Sequence, residues 1–186
     1  GVNEHIRSVA EGFAAAGYVA LAPALFDPVA RHVELGYDET GFARGRELVA
    51  ELGTDRAVAV LRAAARLLQD EGLRVAVVGF CWGGSMALLA NTRLGLPAVS
   101  YYGARSMPFL GEPLRAPMLL HFGGLDETTP PRDIQAQREA WPGAQVHVYP
   151  EAGHAFNREV DPRHFHPPSA ALARKRTLDF LAAALR

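Results

Sequence analysis

Apolar residues recur along this chain in two patterns, one typical of helices and one typical of buried strands. Over residues 4–16 they return every three or four positions, which places them on one face of a helix. Asn3 can cap the start of that helix, and Gly17 follows its end. The same reasoning predicts further helices over residues 42–51, from Thr54 to Gly72, and over residues 83–93, 131–140 and 169–185.

Short apolar runs lie between these helices and predict buried strands. They cover residues 18–21, 74–79, 98–102, 118–122 and 146–149. Strands that alternate with helices pair in parallel, because each connection crosses over through a helix. We therefore expect an α/β protein with a mostly parallel, doubly wound sheet and helices on both faces. No linker or shift in composition divides the chain, so a single domain over residues 1–186 is expected.

Composition and charge exclude several classes of function. The chain has 19 lysines and arginines against 20 acidic residues, and a net charge of -1 gives no electrostatic reason to bind nucleic acid or an anionic membrane. It contains no run of about 18 apolar residues that could span a bilayer, and no recognisable signal peptide. Its single cysteine excludes an intrachain disulfide and favours a reducing, cytoplasmic location.

One turn carries a strong chemical signal. A predicted strand leads directly into residues 79–84, Gly-Phe-Cys-Trp-Gly-Gly, and a helix pattern follows at once. This order of strand, glycine turn and helix is a nucleophile elbow, with Cys81 in place of the usual serine. We expect close backbone approach to require Gly79 and Gly83, and Gly84 to let the helix pack under the strand. The alternative, a buried structural cysteine, does not explain the flanking glycines.

Two later strands end at residues that would complete a catalytic triad with Cys81. Asp126 follows the fourth predicted strand and His154 follows the fifth, so the chain order is nucleophile, acid, base, as in α/β-hydrolases. His154 would take the thiol proton or pair with the thiolate as imidazolium, and Asp126 would hold its tautomer and orientation. Glu127 remains the alternative acid.

The elbow would also help to stabilise negative charge. The N-terminus of the following helix favours a thiolate at Cys81, and the backbone N–H of Trp82 is placed to stabilise an oxyanion.

The other histidines lack zinc-ligand spacing, so neither a metal nor a cofactor is expected. Two rival functions are a catalytically inactive small-molecule binding protein and a thiol-redox protein, although the chain has no resolving cysteine.

The elbow, Gly124-Leu125-Asp126 and Gly153-His154-Ala155-Phe156 resemble motifs of the dienelactone hydrolase family. The resemblance extends to residues 1–3, 17–20, 23–26 and 176–181, and so covers nearly the whole chain. It implies an α/β-hydrolase fold and a Cys81–Asp126–His154 triad. The activity it implies is the hydrolysis of dienelactone-type enol-lactones in the bacterial breakdown of chloroaromatic compounds.

The resemblance also implies residues that bind the substrate. The family holds a substrate carboxylate with arginines, and Arg158 matches one of them. The other falls within residues 37–46, where Arg44 and Arg46 are neighbours of its position. Tyr102 lies in a Tyr-Tyr-Gly run after a strand, where it would line the pocket or, alternatively, be an aromatic residue of the core.

Two features of the family fall ahead of Gly1. These are a glutamate that hydrogen-bonds the resting thiol and the loop that supplies the second oxyanion donor. The chain therefore resembles one entered partway through the fold, with its N-terminal strands missing. The overall expectation is a cytoplasmic hydrolase, a monomer or small homo-oligomer, that cleaves a small lactone or activated ester through an acyl-enzyme.

Overall fold

A computed structural model describes residues 1–186 of the chain. Its residues divide into two compact units, Gly1–Asp70 and Glu71–Arg186. The first unit is helical and the second contains the sheet. No helix is both long and apolar enough to cross a bilayer.

The first unit contains the helices α1 (Glu4–Ala15) and α2 (Glu39–Asp70). As predicted, the Asn3 side chain caps α1 by accepting a hydrogen bond from the backbone N–H of Ile6. The two helices expected over residues 42–51 and from Thr54 are also present. They form one run that is interrupted at Gly53, whose φ of 69° is non-helical.

The strand predicted at residues 18–21 is wrong. These residues form no strand, and Val19 and Leu21 are 66% and 40% exposed. The apolar composition of the run was correct, but a strand also needs a neighbour to complete its ladder of hydrogen bonds. No strand pairs with this segment, because the sheet has four strands and all of them lie in the second unit.

The second unit is built on a parallel sheet with the strand order β1-β2-β3-β4, and the predicted α/β class is confirmed. The strands run over Val77–Phe80 (β1), Ala98–Tyr101 (β2), Met118–Gly123 (β3) and Gln145–Tyr149 (β4). The helices run over Trp82–Leu94 (α3), Pro131–Ala140 (α4) and Pro167–Ala184 (α5), with a short 3-10 helix at Met107–Phe109. Because neighbouring strands are parallel and consecutive, all four end at the same edge.

The core of the second unit lies on β2, β3 and α3. Every residue of β2 and β3 is buried, and so are the α3 residues from Gly84 to Thr92. Helix α3 approaches β2 closely, since a Cβ atom at Gly84 would lie 2.6 Å from the Ser100 hydroxyl and 2.9 Å from the Tyr101 carbonyl oxygen. This confirms that Gly84 permits tight packing of the helix against the sheet.

A buried polar network ties α5 to three strands. Thr177 of α5 hydrogen-bonds the Tyr101 hydroxyl of β2 at 2.7 Å and the Nε2 atom of His121 of β3 at 3.1 Å. The other ring nitrogen of His121 is 2.9 Å from the Tyr149 hydroxyl of β4. Burial lowers the pKa of His121 to about 3, so this histidine is neutral and belongs to the scaffold.

Candidate active site

Cys81 lies on a strained turn between β1 and α3. Its backbone has φ 54° and ψ -119°, outside the regions that residues with a side chain favour. Gly79 must be glycine, because a Cβ atom there would collide with the carbonyl oxygen of Gly83. The expectation that Gly83 is also required by close approach is wrong, since a Cβ atom at Gly83 would meet no atom within 4 Å.

The strain at Cys81 predicts that a glycine variant at this position is more stable than an alanine variant. Glycine adopts a positive φ readily whereas alanine does not. We expect Cys81→Gly to have a free energy of unfolding about 1 kcal/mol higher than Cys81→Ala. Urea unfolding of the two variants measures this difference. Equal midpoints, or a more stable alanine variant, would show that the turn relaxes around a side chain.

Three side chains from separate loops converge at the carboxyl edge of the sheet. Cys81 follows β1, Asp126 lies in the turn after β3, and His154 lies in the loop after β4. The Nε2 atom of His154 is 3.2 Å from the Cys81 sulfur. Its Nδ1 atom is 2.7 Å from Oδ2 of Asp126, whose side chain is fully buried. Glu127, the alternative acid, is exposed.

The electrostatics of this cluster favour a thiolate. Burial alone raises the pKa of the Cys81 thiol, but the hydrogen bond and charge of His154 lower it below its usual value. The backbone N–H of Trp82 and the charge of Arg158 act in the same direction. For His154, burial lowers the pKa, and the hydrogen bonds to Asp126 and Cys81 more than reverse this and raise it to about 9. The lowered pKa of Cys81 and the raised pKa of His154 both favour a thiolate–imidazolium pair at neutral pH.

Tyr102 packs against the histidine of this cluster. The residue is 1% exposed, and its ring meets that of His154 edge-on with 5.1 Å between centroids. It also packs against Phe156 at 5.3 Å. The structure therefore places Tyr102 as support for His154, and its role in lining a substrate pocket stays a prediction.

Arg158 is buried and forms an ion pair. Its guanidinium lies 3.3 Å from Oδ2 of Asp161, and both side chains are less than one-tenth exposed. Asp161 also receives hydrogen bonds from Arg163 and contacts the ring of His164 at 2.8 Å. Burial raises the pKa of Asp161, but the hydrogen bonds and charges of Arg163 and His164 outweigh it and lower this pKa to about 2. A charged Asp161 thus accompanies Arg158, for which the family resemblance implies a role in substrate binding.

One further residue at the site, Thr128, is not indicated by any sequence pattern. Its backbone N–H and its hydroxyl both donate to Oδ1 of Asp126, at 2.9 and 2.6 Å. The same hydroxyl oxygen is 3.0 Å from Nδ1 of His154. A threonine two positions after an aspartate is ordinary turn chemistry, so only the path of the loop reveals its second contact.

Comparisons with known proteins, by family model, by sequence and by structure, all find dienelactone hydrolases or carboxymethylenebutenolidases. A family model described as "Dienelactone hydrolase family" matches residues 1–185. A carboxymethylenebutenolidase of Pseudomonas putida is 33% identical over 98% of this chain and 81% of its own length. A crystal structure from Klebsiella pneumoniae, named "Putative Dienelactone Hydrolase", has a TM-score of 0.83 and 30% identity, and covers 98% of this chain and 82% of that one. The likeness confirms the predicted α/β-hydrolase fold.

Proposed function

Since the chain belongs to the dienelactone hydrolase family, we propose that it hydrolyses a small lactone or activated ester through a thioester on Cys81. The observation that carries this proposal is the line of contacts from Cys81 through His154 to Asp126, with distances of 3.2 and 2.7 Å. A nucleophile, a base and an orienting acid in this arrangement suit acyl transfer.

In the first half of the reaction, the Cys81 thiolate attacks the carbonyl carbon and the carbonyl oxygen becomes an oxyanion. The backbone N–H of Trp82, which already interacts with the sulfur, is one donor to that oxyanion. As the tetrahedral adduct collapses, the carbon–oxygen bond breaks and the proton of the His154 imidazolium passes to the leaving oxygen. For a lactone, alcohol and acyl group remain in one molecule, attached to Cys81 as a thioester.

In the second half, neutral His154 removes a proton from water as the water attacks the thioester carbon. Collapse of this second adduct releases the carboxylic acid and returns the sulfur as thiolate beside an imidazolium. Asp126 stays ionised throughout and stabilises the imidazolium through Nδ1. Two proton transfers at Nε2 thus complete the cycle.

A cysteine nucleophile restricts the substrate. Thiolate leaves a tetrahedral adduct more easily than an ordinary alkoxide, so an adduct on an unactivated ester reverts to starting material. An enolate or a phenolate is a better leaving group, and adducts that carry one go forward to the thioester. Enol-lactones and aryl esters are therefore the substrate class that this site favours. In our proposal Arg158 binds a substrate carboxylate, because it matches one of the arginines with which the family holds that group.

The proposal is tested by mixing the protein with p-nitrophenyl acetate and, separately, with a dienelactone, and by following product release. Samples quenched in acid are digested and examined by mass spectrometry. We expect turnover and an acyl group on the peptide that contains Cys81, the only cysteine of the chain. Rates equal to those in buffer on both substrates, with no acylated peptide, would exclude a hydrolase and leave a binding role for this fold.

A further inference from the structure

The hydroxyl of Thr128 touches two members of the proposed triad at once. It donates a 2.6 Å hydrogen bond to Oδ1 of Asp126, and its oxygen lies 3.0 Å from Nδ1 of His154. The two oxygens of Asp126 are thereby divided between partners. Thr128 occupies Oδ1 with both its N–H and its hydroxyl, and Oδ2 is left to His154 at 2.7 Å.

These contacts assign the protons around His154. Ionised Asp126 only accepts hydrogen bonds, so the hydroxyl proton of Thr128 points to Oδ1. The lone pairs of the threonine oxygen then face Nδ1. Both neighbours of Nδ1, the carboxylate and this oxygen, are acceptors, and the nitrogen must carry a proton. The proton that moves during catalysis is consequently confined to Nε2, the nitrogen that faces Cys81.

We propose that Thr128 is a positioning residue, which fixes the Asp126 carboxylate and the Nδ1–H tautomer of His154 so that the histidine can ionise Cys81. This inference rests on the proposed function, because it concerns the same histidine and thiol. Its physical basis is that each hydrogen bond to the carboxylate restricts its rotation about the Cβ–Cγ bond. The hydroxyl adds a second, shorter bond to Oδ1 and places an acceptor beside Nδ1 of His154.

The turn itself does not require the hydroxyl. The backbone N–H of Thr128 donates to Oδ1 at 2.9 Å, and this bond alone closes a turn of the Asx type. The hydroxyl adds a second bond to the same oxygen and a contact with the base. Its additional partners both belong to the triad, which points to orientation of the base and acid as its role.

The neighbouring Thr129 supplies a matched control. It is 3% exposed, and its hydroxyl oxygen is buried without a hydrogen-bond partner. Thr128→Val and Thr129→Val therefore make the same chemical change at adjacent positions of one loop. Only the first removes contacts with Asp126 and His154.

The test combines steady-state kinetics on p-nitrophenyl acetate with the pH dependence of Cys81 alkylation by iodoacetamide. For Thr128→Val we expect a kcat about ten- to a hundredfold below wild type, with KM within about twofold, because a misplaced base slows chemistry more than binding. The midpoint of alkylation should rise by about half to one pH unit, since a loosely held imidazolium stabilises the thiolate less. Thr128→Ser should restore both values, and Thr129→Val should match wild type.

Three results would overturn this role for Thr128. The first is a Thr128→Val protein with wild-type kcat and alkylation midpoint. The second is a serine variant as impaired as valine, and the third is a fall in kcat without a change in the midpoint. If Thr128→Val does not fold, as judged by thermal unfolding, Thr128→Ala makes the same test. Absence of turnover in the wild type would instead contradict the proposed function, and alkylation would still report on Thr128.

Discussion

Cys81→Ala is expected to lower kcat/KM on p-nitrophenyl acetate by at least about 10⁴-fold, close to the rate in buffer. The variant keeps His154 and Asp126 but has no atom that can form the thioester, so only general-base attack by water remains. The size of the loss reflects the fact that a nucleophile and its base act as a unit. Initial rates at several enzyme concentrations measure it, because a true residual rate scales with the variant protein.

The chain offers a control that needs no mutation. Cys81 is its only cysteine, so one equivalent of iodoacetamide should abolish activity to the same extent as the substitution. Loss of activity should be proportional to the fraction of protein alkylated, as read from intact mass. A Cys81→Ala protein or a fully alkylated protein that retained a tenth of the wild-type rate would contradict covalent catalysis at Cys81.

Asp126→Asn is expected to lower kcat by about 10² to 10⁴-fold while the protein stays folded. The amide keeps the shape of the carboxylate, but it has no charge with which to stabilise the imidazolium of His154. It can also present an N–H₂ group to Nδ1 and so favour the wrong tautomer. The measured quantities are kcat and the pH midpoint of Cys81 alkylation, which should rise because the raised pKa of His154 depends on Asp126.

Glu127→Gln is the matched control for this substitution. Glu127 is adjacent in sequence and was the alternative acid from sequence alone, but its side chain is exposed. We expect its kcat to stay within about twofold of wild type, as for most surface substitutions. A large loss at Glu127 together with a small loss at Asp126 would reverse the assignment of the acid.

Most of the fold was accessible from periodicity, because a helix or a buried strand imposes its own spacing on apolar residues. The four strands of the sheet and the two helices on either side of Gly53 were predicted from that spacing and from helix caps. The strand predicted at residues 18–21 was wrong, because its composition is that of a strand and only the absence of a paired neighbour decides the outcome. Pairing is a property of the assembled sheet, and a local pattern cannot report it.

The candidate site likewise has residues that the sequence predicts and contacts that it does not. Cys81, Asp126 and His154 could be proposed from sequence because each directly follows a strand, and parallel strands end at a common edge. The contact of Thr128 with His154 and the packing of Tyr102 against that histidine depend on side-chain directions within loops. The need for glycine at position 79 was predicted correctly, because a Cβ atom there would collide with the carbonyl oxygen of Gly83. The predicted need for glycine at position 83 was wrong, because a Cβ atom there would meet no atom within 4 Å. The side-chain contacts made within the loops could therefore not be predicted from the sequence.

The placement of the proposed triad after three separate strands has a consequence for refolding. The residues that meet at Cys81 and His154 lie 73 positions apart in the chain, and those at Asp126 and His154 lie 28 apart. No single hairpin or helix can bring them together, so the proposed thiolate can form only after β1, β3 and β4 have aligned. After dilution from denaturant, rapid alkylation of Cys81 at neutral pH should thus appear no earlier than the circular-dichroism signal of the sheet. The rate of alkylation then reports when the distant strands have assembled.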